Sequence, residues 1–336
     1  MKKVFICADG SPSMGLGHLY RSFAMAQILS DTHDVTLLTR SDPRYIESKY
    51  FSNTIIFGSA EPQSTLDLRS CEIKRYLCRD STLVLDGYHY GTKFQSELKH
   101  CVSKLVCVDD FNQYAYEADA VIHPSLSGLT LDFSNQKPST QLHLGPKYAL
   151  LRPEIIPREV KGRGRDYTFL VGFGGSDPRD ASLAFVKATD SLPEHWQFHV
   201  LIGRAYINYY ALLDEAKQRP NITIHRDITT EDYVELLSSI NFGIVSASTM
   251  YLEFATSGLI SLAVQLVDNQ TEVARAINTL GMGDVIACDD VFKPRIFAQK
   301  ILKFFEDLEH LESLNQIYRS LFTKNFAQNL REIFKY

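Results

Sequence analysis

Twice in this chain a short apolar run breaks at glycines and gives way to a helical pattern, and this repeated grammar constrains the fold more than any other feature. The first copy is Val4-Phe5-Ile6-Cys7-Ala8, a buried-strand candidate, then Ser13-Met14-Gly15-Leu16-Gly17-His18-Leu19-Tyr20-Arg21, then an apolar spacing over 22–29 that fits a helix against a sheet. The second is Tyr167-Thr168-Phe169-Leu170-Val171, then Gly172-Phe173-Gly174-Gly175-Ser176-Asp177-Pro178, then a helix over 181–189. Strand, glycine turn and helix start in that order make a pocket for anions. Glycine lets a ligand approach the backbone without a Cβ in the way, and first-turn N–H groups have no intrahelical partners. Tyr20 stands where the dinucleotide pattern needs a further glycine, which disfavours nicotinamide or flavin binding. His18 sits where the first of these helices begins. On motif shape alone, a histidine there is more often a cap or packing residue than a catalyst.

Between the two copies, further apolar runs alternate with helical stretches. Strands are expected over 34–39, 53–57, 81–86, 104–109 and 120–122, with a helix over 93–101. In the second half they are expected over 198–203, 222–225, 242–246 and 259–266, with helices over 230–237, 251–256 and 271–280, and a helical pattern from 294 to 336. Such alternation indicates parallel sheets covered on both faces. Two strands end in acids, Asp86 and Asp109; ligands bind beyond the carboxyl ends of strands in open α/β sheets, so both are expected to face the crevice that His18 faces. Taken singly, each is more often a turn or helix cap.

A chain of 336 residues exceeds the roughly 250–300 at which a single core stops growing. Three prolines, two glycines and many basic residues over 146–165 make the best linker, with the boundary near 158–165. The expected organisation is therefore two Rossmann-like doubly wound α/β domains facing across a cleft. Residues 1–160 carry the Gly-x-Gly-His loop and 161–336 bind nucleotide, the last helix being a candidate to pack back on the first domain. A net charge of −5 argues against a broad nucleic-acid footprint. No window approaches the roughly 18 apolar residues of a membrane span, and the N-terminal apolar run is too short for a signal peptide. A cytoplasmic protein without stable membrane insertion is expected. The six cysteines show no Cys-x-x-Cys spacing and the ten histidines no His-Glu-x-x-His, so no metal or other cofactor is expected. Nothing in the chain fixes an oligomeric state.

In order along the chain, Gly15-Leu16-Gly17-His18 with Arg21, Asp86-Gly87-Tyr88-His89-Tyr90-Gly91, Val108-Asp109-Asp110, Tyr148-Ala149-Leu150-Leu151-Arg152-Pro153-Glu154, Gly174-Gly175-Ser176-Asp177-Pro178, Ser246-Ala247-Ser248-Thr249 with Glu253, and Asp268-Asn269-Gln270 resemble a known family. It is the UDP-2,4-diacetamido-2,4,6-trideoxy-β-L-altropyranose hydrolases of pseudaminic acid biosynthesis, whose fold is shared with the MurG-type glycosyltransferases. The resemblance runs from about residue 4 to about residue 285; His89 is an insertion relative to it, and the last fifty residues carry no matching motif.

The resemblance implies the GT-B architecture and a metal-independent reaction in which water replaces UDP at the anomeric carbon. It makes His18 the general base; histidine ordinarily titrates at about 6.5, so a neutral imidazole can take a proton at neutral pH. Gly15 and Gly17, from their loop, and Asp86, from its strand end, are substrate-contact candidates, and Tyr88 and Arg21 are the choices for sugar recognition. Leaving-group donors would come from Gly174, Gly175, Ser246, Ser248 and Thr249. Glu253 would hold the ribose hydroxyls, and Asn269 and Gln270 would lie near the sugar and diphosphate. Each has a plainer reading: a capped helix start at Ser246–Ser248, a solvated carboxylate at Glu253, a loop pair at Asn269-Gln270. A UDP-sugar substrate is the leading expectation. The alternatives are a transferase of the same fold moving the sugar to an acceptor, and a binding protein without catalysis.

Overall fold

The computed structural model describes residues 1–11, 14–57, 70–156, 167–322 and 325–335. Ser13 and the linker at 158–165 lie outside them. The chain divides into two units, Met1–Pro153 with Asn325–Tyr336, and Glu154–Lys324.

The first unit is built on strands β1 (Lys2–Ala8), β2 (His33–Thr39), β3 (Asn53–Ile56), β4 (Thr82–Asp86), β5 (Lys104–Val108), β6 (Ala120–His123) and β7 (Gln141–Leu144), with helices α1 (Gly17–Leu29), α2 (Ser70–Lys74) and α3 (Thr92–Lys99). All pairings are parallel, in the order β3-β2-β1-β4-β5-β6-β7. The central strands are apolar on both faces, as helices covering both sides require: Val4, Ile6, Leu83, Val84, Leu105 and Val106 are fully buried.

The second unit repeats the plan with β8 (Thr168–Gly172), β9 (Gln197–Ile202), β10 (Ile222–Arg226), β11 (Phe242–Ser246), β12 (Ile260–Gln265) and β13 (Val285–Ala287), again parallel, in the order β10-β9-β8-β11-β12-β13. Its helices are α4 (Ala181–Ala188), α5 (Tyr209–Ala216), α6 (Thr230–Ser239), α7 (Thr249–Thr256), α8 (Thr271–Thr279), α9 (Cys288–Val291), α10 (Pro294–Glu306) and α11 (Leu308–Leu321). An aromatic cluster centres the core: Phe169 lies 4.8 Å from Trp196, 5.1 Å from Phe198 and 4.9 Å from Phe305, ring centre to ring centre. Helix α11 braces α7 through Tyr318, whose hydroxyl is 2.7 Å from that of buried Tyr251.

The last helix, α12 (Phe326–Ile333), belongs to the first unit. It buries Phe326, Leu330 and Ile333. Arg331 Nε donates to Ile28 O (2.9 Å), Asn329 Nδ2 to Lys147 O (2.8 Å), and His33 Nε2 to Phe334 O (3.2 Å). Among the described residues no helix is long and apolar enough to cross a membrane.

Candidate active site

In each sheet the strand order reverses once, between β1 and β4 and between β8 and β11. Connections leave in opposite directions there, opening a crevice at the carboxyl ends of the two strands. Most of the candidate residues fall at these points; Asn269 and Gln270 follow β12, one strand further on.

In the first unit, the loop after β1 is closed by Ser11 N donating to Gly15 O (3.2 Å). Gly15 adopts φ +88°, which a side chain would strain. A Cβ built on Gly15 or on Gly17 meets nothing within 4 Å, so packing does not require glycine at either position and the space beside the backbone is open. Helix α1 then presents His18 one turn before Arg21, and β4 ends at Asp86 directly opposite.

His18 Nδ1 is 2.7 Å from Asp86 Oδ1, and its Nε2 has no hydrogen-bond partner among the described residues. Arg21 donates from Nε to Asp86 Oδ2 (2.6 Å) and from Nη2 to Asp86 Oδ1. Its Nη1 meets both oxygens of Asp110, at 2.8 and 3.0 Å. The side chains of Asp86 and Arg21 are 1% and 6% exposed. Burial pushes the Asp86 carboxyl up, but Arg21 and His18 outweigh it and hold it below the ordinary carboxylate range. Asp110 is opposed by burial in the same way and is still brought down to about 2, chiefly by Arg21. The Tyr88 ring stands edge-on to the imidazole, centres 4.7 Å apart. Its backbone is pinned by the Tyr114 hydroxyl donating to Tyr88 O (2.7 Å).

These side chains border a groove of about 1370 Å³, lined among others by Asp9, His18, Asp86, Tyr88, His89 and Lys93. Water alone needs a small fraction of that room, and a sugar fits within it. Asp9 and Arg40, both missed in the sequence, form a buried pair beneath His89: Arg40 donates to Asp9 from its backbone N (2.7 Å) and from Nε (2.9 Å), and its Nη2 lies 3.4 Å from His89 Nε2. An apolar run ending in an acid, Ala8-Asp9, and a strand ending in a base, Thr39-Arg40, were the only available signals.

Asp109, expected to face the crevice beside Asp86, does not join this cluster. Its carboxylate closes its own loop, accepting from Phe111 N (3.1 Å), Asn112 N (2.8 Å) and the Tyr116 hydroxyl. The acid that reaches Arg21 is its neighbour Asp110.

In the second unit, Gly174 has φ +97° and open space where its Cβ would be, while the loop behind it is tight: a Cβ on Gly203 would overlap the Gly175 carbonyl. The start of α4 is already occupied, because Asp177 accepts from Ala181 N (2.9 Å) and Ser182 N (2.8 Å). The start of α7 is organised differently. Ser248 caps it by accepting from Met250 N (3.3 Å), and Ser246 Oγ lies 2.9 Å from Ser248 Oγ, with Thr249 opening the helix. A Cβ on Gly172 would come 2.6 Å from Met250 Sδ, so the glycine loop and the α7 start adjoin. Glu253, one turn in, accepts from the Tyr233 hydroxyl (2.7 Å). Gln270 Oε1 accepts from Leu266 N (2.7 Å) and so shapes the turn after β12, leaving Asn269 exposed beside it.

Two parallel α/β sheets with these orders make the GT-B fold of glycosyltransferases. The crystal structure of Acinetobacter baumannii MurG superposes with TM-score 0.68 at 16% identity over 100% of both chains, and that of the kitacinnamycin glycotransferase with 0.67 at 14% over 98% of both. By sequence, the chain is 24% identical over 278 residues to the UDP-2,4-diacetamido-2,4,6-trideoxy-β-L-altropyranose hydrolase of Campylobacter jejuni, covering 81% of this chain and 94% of that protein. This relative bears out the resemblance read from the motifs. The spore coat polysaccharide biosynthesis protein SpsG of Bacillus subtilis is 23% identical over 84% of this chain and 85% of its own. The uncharacterized protein MJ1062 of Methanocaldococcus jannaschii is 22% identical over 76% of this chain, which spans about half (54%) of that relative's length. No family model matches the chain.

Proposed function

We propose that the protein hydrolyses a UDP-linked diacetamido-trideoxy sugar, releasing UDP and the free sugar for nonulosonic acid biosynthesis of the pseudaminic type. Water forms a bond to the anomeric carbon as the bond from that carbon to the diphosphate oxygen breaks. The electron pair leaves with UDP, and the water's proton passes to His18 Nε2. The carrying observation is that imidazole: Nδ1 lies 2.7 Å from a buried carboxylate, Nε2 has no partner among the described residues, and the ring borders the groove at the switch point of its sheet. Gly15, Gly17 and Tyr88 lie along the sugar. In the second unit the diphosphate is met at Gly174-Gly175 and at Ser246, Ser248 and Thr249, since Asp177 already fills the start of α4. Glu253 takes the ribose, and Asn269 and Gln270 border the diphosphate and sugar. The hydrolase name of the Campylobacter relative supports this reading.

Transfer to a second acceptor is the competing reading, favoured by the glycosyltransferases among the solved structures and by a groove larger than water needs. Incubating the protein with UDP-diacetamido sugars separates the two. UDP and free sugar formed without any acceptor is the expected result; release only after adding an acceptor means transfer, and binding without turnover removes both. His18→Asn is expected to lose about 10²–10⁴-fold in kcat with UDP affinity kept.

A further inference from the structure

The guanidinium of Arg21 has no edge left for a substrate. Nε and Nη2 are spent on Asp86 and Nη1 on both oxygens of Asp110, all in a side chain 6% exposed. A ligand could engage it only by breaking a buried ion pair. Two carboxylates against one guanidinium leave one uncompensated negative charge beside the imidazole. When His18 takes a proton, the cluster becomes neutral. The arrangement therefore favours the imidazolium that base catalysis produces.

We infer that Arg21, Asp86 and Asp110 form a support that orients and charges His18, with Asp110 a positioning residue that acts on the imidazole through Arg21 without touching it. The inference rests on the reading of His18 as the base. Asp86 Oδ1 lies 2.7 Å from Nδ1, and Arg21 Nη2 lies 2.9 Å from the same nitrogen. Two N–H groups cannot face each other, so the two contacts compete for the tautomer. The buried carboxylate, closer and charged, holds the proton on Nδ1 and leaves Nε2 basic; the reverse choice would put the proton on Nε2 and remove the base.

The other groups that face His18 do not change this balance. Tyr88 presents a ring edge, and Asp9, on the groove wall, is matched by its ion pair with Arg40. His89 is held neutral by burial, its titration lowered to about 4.

Nitrogen-15 NMR of the full chain tests this directly, with the His18 signals assigned from His18→Asn. The neutral wild-type ring is expected to carry its proton on Nδ1. In Asp110→Asn the His18 titration midpoint is expected to fall by roughly half to one pH unit, because an anion that stabilised the imidazolium is gone. The acidic limb of the kcat/KM profile should move down by the same amount, with kcat reduced about three- to tenfold and KM within about twofold. A wild-type ring protonated on Nε2 overturns the inference, as does an unmoved midpoint in a folded Asp110→Asn protein. A raised KM with an unmoved limb would instead make Asp110 a substrate contact. The wild-type tautomer needs no variant to fold. Because the NMR requires no turnover, a chain that hydrolyses nothing but shows both NMR results loses only the functional reading.

Discussion

A half-buried histidine beside an arginine resists protonation, and His89 is such a residue. Burial first, then Arg40 and His18, against the pull of Asp9, bring its titration down to about 4 from an ordinary value of 6.5. In the unfolded chain it binds a proton as pH falls through about 6.5, whereas the folded protein does not until about 4. Stability therefore falls across that window as acid is added, by about 2 kcal/mol at pH 5 from this residue. His89→Gln is expected to lose about 2 kcal/mol less than wild type between pH 7 and pH 5, read by urea unfolding at both values. Equal losses would mean that His89 titrates like an exposed histidine. At this scale the sequence was informative but imprecise. His18 and Asp86 were both readable, one from its glycine loop and the other from its strand end. Asp110 was hidden by Asp109, because which of two consecutive acids points inward depends on one turn's geometry. Arg21 was placed on the sugar because its partners lie 65 and 89 residues away, beyond any local pattern.

Among the elements, two glycines make opposite predictions. Gly203 follows β9 with its Cα against the Gly175 carbonyl, so Gly203→Ala must displace the glycine turn. It is expected to cost about 1–3 kcal/mol in urea unfolding and to weaken UDP binding by calorimetry. Gly17 opens α1 with nothing within 4 Å of its absent Cβ. Gly17→Ala should leave stability unchanged or raised by up to about 1 kcal/mol while turnover falls, because the new methyl occupies the ligand's space. Full turnover in that variant would show that nothing binds against the loop. Central strands were legible because burial on both faces writes unbroken apolar runs. The strands that escaped, β7 and β13, are edge strands: the first is half-exposed along its length and the second only three residues long. Helix α5 escaped because it buries only Leu212 and Ala216, too few for a visible stripe.

For the molecule as a whole, α12 is the feature with the widest reach. Residues 1–153 contain every strand of the first sheet, yet the unit is completed by a helix that begins only at Phe326, seated on Ile28, His33 and Lys147. A fragment of residues 1–153 is expected to unfold at lower urea than the same unit in the full chain, and a peptide of residues 325–336 added in trans should restore part of the loss. A fragment as stable as the intact unit, indifferent to the peptide, would show that the helix is only laid on the surface. During synthesis the consequence is one of timing. A ribosome delivers the second unit whole before it delivers the piece that finishes the first. Until then the nascent first half carries a bare apolar seat for Phe326, Leu330 and Ile333. A chain cut short before Phe326 would leave that seat empty for good.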